Sequence, residues 1–158
     1  MGTSTNAILV YGIPLDSDSF PGYVEDADQP DPDNSDPDVR YWLGLSDDEK
    51  RLSRLAFGGD AEDGVVILTH CSASAPEYIV AIEDSNHEAA RGYPLGVTGL
   101  DLSARPEWDK RLRAFVKRYG LTPVAASEAP RPIPSKAAPI PKHKYGAPGW
   151  YLCSYWGA

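Results

Sequence analysis

From Glu25 to Asp38 the chain reads E-D-A-D-Q-P-D-P-D-N-S-D-P-D, a run of carboxylates and prolines with no other apolar side chain larger than alanine. Proline removes backbone donors and pushes the preceding residue toward extended geometry, and closely spaced carboxylates repel one another. The tract is therefore excluded from any helix, central strand or core. It reads as the middle of an acidic loop over residues 13–40. A second proline-dense stretch, including Pro130-Arg-Pro-Ile-Pro134 and Pro139-Ile-Pro141, makes residues 121–148 an extended strap. Its prolines fall at every second position, so the P-x-x-P spacing of SH3 ligands is missing. What remains must supply the core. The chain is read as a single domain, residues 1–158, with loop and strap as appendages.

The remaining segments carry clear periodicities. Ala7–Tyr11 is a short apolar, β-rich run ended by Gly12 and Pro14, which predicts a buried strand. Val65–Leu68 and Tyr78–Ile82 are nearly continuous apolar runs, so both of their faces are expected to be covered. The small-residue segment between them predicts a hairpin. Gly92 to Leu102 reads as a weak strand that Pro94, Gly96 and Gly99 demote toward an edge or bulge. Trp150 to Trp156 is too apolar for a free tail and predicts a last strand or an aromatic hook.

Two helices are expected. Ser46-Asp-Asp-Glu49 has the capping-box pattern, Leu52, Leu55 and Ala56 follow at helical spacing, and Gly58-Gly59 supplies a stop. Pro106 to Tyr119 begins with proline where the first turn tolerates it, places Glu107 and Asp109 in that turn, and ends in Lys117 and Arg118. Trp108, Leu112, Phe115, Val116 and Tyr119 form its apolar stripe, with Glu107–Arg111 and Asp109–Arg113 as i,i+4 pairs. The expected fold is α+β: a small mixed or antiparallel sheet with both amphipathic helices on one face.

Charge is unevenly placed. The net charge is −8, yet Asp16 to Asp63 holds fifteen acidic residues against four basic, and Arg105 to Lys144 holds ten basic against three acidic. The overall sign argues against direct binding of nucleic acid or of an anionic membrane. The basic helix face and the strap lysines read as solvated, with contact to phosphate and a weak attraction to the acidic front as alternatives. The apolar runs are too short to span a bilayer, and the first residues lack the basic flank and apolar core of a signal peptide. Cys71 and Cys153 lie in no disulfide or metal motif, so free thiols in a cytoplasmic setting are expected.

Several constellations bear on chemistry. Asp26, Asp28, Asp31 and Asp33 alternate as calcium ligands do, but no register supplies the glycine and bidentate glutamate of an EF-hand. These residues, with Asp36 and Asp38, read either as a plainly solvated loop or as a partner-binding surface that imitates a phosphate backbone. A Cys71 or Ser72 nucleophile with His87 as base is the enzymatic alternative. His70 cannot easily activate its neighbour Cys71, because adjacent strand residues point to opposite faces. His70, Cys71, His87, His143 and Cys153 lack zinc-ligand spacing, and no phosphate-binding glycine loop is present. No metal or cofactor is expected. Trp150 and Trp156 are candidates either for a strand anchor or for an exposed patch that meets a partner.

Five segments carry a resemblance: Met1–Gly12, Thr69–Ser72, Tyr78–Ile82, Arg91–Pro94 and Pro148–Gly157. In these the chain resembles small uncharacterised proteins encoded by tailed phages of actinobacteria. The resemblance implies a viral setting and a host-directed role in the host cytoplasm, and it transfers no catalytic residue. The functional expectation is a non-enzymatic accessory protein that binds a host or phage protein, for example as an acidic inhibitor or nucleic-acid mimic. The alternatives are a small Cys- or Ser-dependent hydrolase and a virion or assembly component.

Overall fold

A computed structural model describes residues 4–16, 45–57, 59–72, 76–124 and 146–157. The elements in order are β1 (Ser4–Pro14), α1 (Asp47–Phe57), β2 (Val65–Ser72), β3 (Pro76–Ile82), a short 3-10 turn (Glu83–Ser85), β4 (His87–Ala89), α2 (Pro106–Tyr119) and β5 (Gly149–Gly157). Five strands and two helices make an α+β fold. The sheet is antiparallel except for one short parallel contact between β2 and β5, at Cys71↔Tyr155 and Ser72↔Trp156.

The sheet curls back on itself. Its order is β3-β2-β5-β1-β4, and β1 also pairs with β3 through Gly12↔Ala81, Ile13↔Val80 and Pro14↔Ile79. The curl gives the sheet two cores. On the inner face Ile8, Val10, Ile79 and Ala81 pack together, joined by Val66, Leu68, Tyr151 and Cys153. On the outer face Tyr11, Ile13, Val65, Ile67, Val80 and Ile82 pack against Leu52 and Leu55 of α1 and Leu112 and Phe115 of α2. Alternate residues of the same strands thus serve different cores, which is why these strands read as continuous apolar runs.

Both helices form where local signals place them. Ser46 N–H donates to Glu49 Oε2 (2.7 Å) and Glu49 N–H to Ser46 Oγ (3.2 Å), the reciprocal capping box. Gly120 caps α2 in the left-handed region at φ 62°, its N–H reaching Lys117 and Val116 carbonyls. The expected i,i+4 pairs along α2 do not form. Asp109 instead accepts from the Tyr11 hydroxyl, and Arg118 reaches Glu62 at 3.0 Å.

Three further expectations are corrected. β1 does not stop at Tyr11. It runs through Pro14, and Leu15 then bridges Pro123, so residues 13–15 and 121–124 belong to the fold rather than to loop or strap. Gly12 is required inside the strand, since a Cβ there would overlap the Val80 carbonyl oxygen. Pro14 is tolerated at the end of β1, where residues 122–124 take over the edge from β5: its carbonyl still accepts from Val124 N–H (3.0 Å), and only the donor half of that pair is lost. Residues 92–102 form no strand: Gly92 and Gly99 sit at φ 79° and 80°, and the segment is an irregular loop. No helix among the described residues is long and apolar enough to cross a membrane.

Candidate interaction surface

Among the described residues the outer face of the sheet is only half covered. Register places Tyr11 opposite Trp150, then Leu9 opposite Leu152 and Ala7 opposite Ser154, with His87 and Ala89 of β4 beside Leu9 and Ala7. The helices reach as far as the Tyr11–Trp150 line. There Trp150 meets Tyr11 and Trp108 edge-on, at centroid distances of 5.4 and 6.2 Å. Beyond it Leu152 is 76% exposed, although it lies in the middle of a strand.

The aromatic line is fixed by polar contacts at its rim. Trp150 Nε1 donates to the Ser103 carbonyl (3.1 Å), Tyr11 Oη donates to Asp109 Oδ1 (2.5 Å) and Arg105 N–H donates back to Tyr11 Oη (3.2 Å). Burial is the main cause that raises the Tyr11 hydroxyl above its usual pKa, so it stays a neutral donor. The Arg105 guanidinium lies over the Trp108 ring at 5.4 Å and pairs with Asp101 at 3.4 Å. These contacts pin the C-terminal end of the loop over residues 90–104. The N-terminal end of the loop passes the other border of the open face, where Tyr93, Pro94, Ala7, Ala89 and Ser154 line a shallow cavity of about 360 Å³. Between these two ends the loop exposes Tyr93, Leu95, Val97 and Leu102.

The residues singled out by sequence are distributed as follows. Trp150 is in the aromatic line, half-buried, and both anchors the last strand and borders the open face. Trp156 lies on β5 opposite Thr5 and beside Ser72 in register; its side chain is outside the described residues. So are Asp26, Asp28, Asp31, Asp33, Asp36 and Asp38. His87 stacks against Trp150, with centroids 6.5 Å apart and rings inclined by 29°. Cys71 is exposed at the β2–β5 joint with φ 75°, and the sheet order sets β1 and β5 between it and His87. Burial lowers the His70 pKa below its ordinary 6.5 and raises the Cys153 thiol to about 11. Among the described residues no three His, Cys, Asp or Glu side chains converge as a metal set would. Leu152 and the loop apolar residues were missed, because exposure depends on where the helices end.

No protein-family model, curated protein or solved structure matches this chain.

Proposed function

We propose that this chain acts by binding another protein, with the open half of the outer sheet face and the loop over residues 90–104 as the contact surface. One observation carries the reading: Tyr93, Leu95, Val97 and Leu102 of the loop and Leu152 of β5 are exposed, whereas the other large aliphatic strand residues among the described residues are buried or partly buried. An apolar patch framed by a pinned loop and an aromatic line is typical of a protein contact, where rigid Trp and Tyr side chains supply area at low entropic cost. The acidic front half supports the narrower form of an inhibitor of a basic, nucleic-acid-binding host factor. The phage accessory role implied by the resemblance would place that encounter in the host cytoplasm.

The test is affinity capture from host lysate at low salt with the native chain and with a Leu152→Lys, Tyr93→Ser double variant. Both positions are solvent-facing, so the variant keeps its fold. A protein retained by the native chain and lost with the variant supports the reading. Retention that ignores the substitutions, or no retained protein, refutes it.

A further inference from the structure

A second surface lies at the edge of β2. The Glu83 N–H···O Gly64 bond fixes the phase of the β2–β3 ladder. Val66, Leu68 and His70 therefore face β3 with their backbone groups, opposite Ala81, Ile79 and Glu77. Val65, Ile67 and Thr69 face the other way. Val65 spends both groups on Glu62, at 2.9 Å each. β5 reaches this edge at Cys71 and Ser72, where β2 turns through a left-handed residue. Among the described residues the backbone N–H and C=O groups of Ile67 and Thr69 have no ladder partner.

These four groups open into a groove of about 540 Å³. Its floor is apolar, from Ile8, Val66 and Leu68. Its rim carries Glu83, Glu88 and Asp60, and no Lys, Arg or His lines it among the described residues. Asp60 is paired with Arg51 (2.8 Å), and Glu88 accepts from Asn6 Nδ2 (2.8 Å), so two carboxylates remain without a cationic partner. Edge strands are usually blunted by lysine, proline or a bulge. The stretch Val65-Val-Ile-Leu-Thr69 has none of these, and the first break is at Cys71.

We propose that the open edge of β2 takes an extended basic segment of a partner protein as an added strand. Backbone bonding to Ile67 and Thr69 supplies the pairing, the apolar floor receives alternate side chains, and the acidic rim selects Lys or Arg at the positions between them. The Glu62–Val65 turn closes one end and β5 the other, which limits the added strand to about five residues at roughly 3.4 Å each. Edge-to-edge pairing with a second copy is disfavoured, because a two-fold contact sets one acidic rim against another. The site is separate from the apolar face, and each proposal stands or falls by itself.

The probe is a fluorescein-labelled peptide, Lys-Val-Lys-Val-Lys-Val, compared with its Glu-Val counterpart and with a Lys-Val peptide N-methylated on alternate nitrogens. Anisotropy titrations should show saturable binding of the first peptide and at least tenfold weaker binding of the other two. Amide exchange at Ile67 and Thr69 should be fast in the free chain and slow in the complex. Thr69→Pro deletes a donor that points into the groove, spares the bonds to β3 and should lose binding at least tenfold. Glu83→Lys with Glu88→Lys should weaken binding without changing exchange elsewhere. The proposal is overturned if the N-methylated peptide binds equally, since charge alone would then explain the affinity. It also fails if the two amides are already protected in the free chain, or if sedimentation shows a dimer that excludes the peptide. The peptide and exchange measurements use the native chain, so they decide the matter even if Thr69→Pro does not fold.

Discussion

Ser85→Ala should be among the most damaging small substitutions in this chain. β3 and β4 follow one path along β1, interrupted by the turn at Glu83–Ser85. In an unbroken ladder Ile82 and Tyr11 would bond directly. The turn pulls them apart, and the Ser85 hydroxyl fills the gap: it accepts from Tyr11 N–H at 2.9 Å and donates to the Ile82 carbonyl at 2.6 Å. Ser85 is 1% exposed, so neither group can turn to bulk water when the hydroxyl is removed. Each buried group left unpaired costs about 1–3 kcal/mol, and two together give about 2–4 kcal/mol because partial relaxation recovers some of the sum. Against a total stability of about 5–15 kcal/mol that is a large fraction. Urea unfolding followed by tryptophan fluorescence reads the loss, since Trp150 and Trp108 pack on Tyr11. The midpoint should fall with an unchanged slope, and the Tyr11 amide should exchange faster. Ser154→Ala, on the exposed face, is the control and should change little. A Ser85→Ala loss below about 0.5 kcal/mol, the range of ordinary surface substitutions, would refute the bridging role. So would continued protection of the Tyr11 amide.

Other substitutions and titrations probe the same architecture. Gly12→Ala puts a Cβ into the Val80 carbonyl and within 3.2 Å of Ala81 Cα, so a loss of about 3 kcal/mol or more is expected in the same urea assay; a variant of native stability would show that β1 need not approach β3 so closely. At pH 8 a thiol reagent should modify Cys71 rapidly and Cys153 slowly, because Cys71 is exposed while burial raises the Cys153 thiol to about 11. Cys71→Ser should abolish the fast phase, and a fast phase that survives it would contradict the burial of Cys153. Burial holds the His70 pKa below 6.5 in the folded state, so the unfolded chain takes up more protons there. The stability His70 contributes is complete above pH 6.5 and lost as pH falls through its depressed folded pKa. His70→Gln should flatten that part of a stability-versus-pH curve, and an unchanged curve would remove His70 as its cause.

The helices were legible because their signals are local. The box at Ser46 and Glu49, the proline at the start of α2 and Gly120 at its end each act within one turn, and no distant contact overrides them. The apolar runs of β2 and β3 announced burial on both faces without saying what does the burying, because a sheet that curls on itself and a sheet between two helical layers need the same residues. Gly12 and Pro14 look like terminators in sequence. One is an accommodation to Val80 across the strand pair, and the other ends the strand with its carbonyl still bonded to Val124 N–H. β4 has no sequence signature, since three residues, His-Glu-Ala, carry no period. Its position follows from β1 and from the Ser85 bridge. The open edge of β2 was hidden for a related reason: which strand edge is left over depends on strand order, and strand order is a long-range property.

The two proposed surfaces have one geometric origin. Going round the pairings β1–β3–β2–β5–β1 there are three antiparallel joints and one parallel joint. Each antiparallel joint reverses direction, so straight strands cannot close such a ring. An odd number of reversals closes only if some ribbon coils through about half a turn, with the right-handed strand twist supplying the coil. The β1–β5 ribbon is the long one, paired from Ser4↔Gly157 to Gly12↔Gly149, and Gly12 sits at the end that must approach β3. Coiling brings the end of β5 to Cys71 and Ser72 but does not pair its middle with Ile67 and Thr69, which leaves that edge without a ladder partner among the described residues. The same coil carries Leu9 and Leu152 beyond the reach of α1 and α2, which leaves the apolar face open. Closing the ring and leaving two surfaces unfilled are therefore one structural choice. A substitution that relaxes the coil should disturb both surfaces together, although they lie on opposite sides of the ribbon.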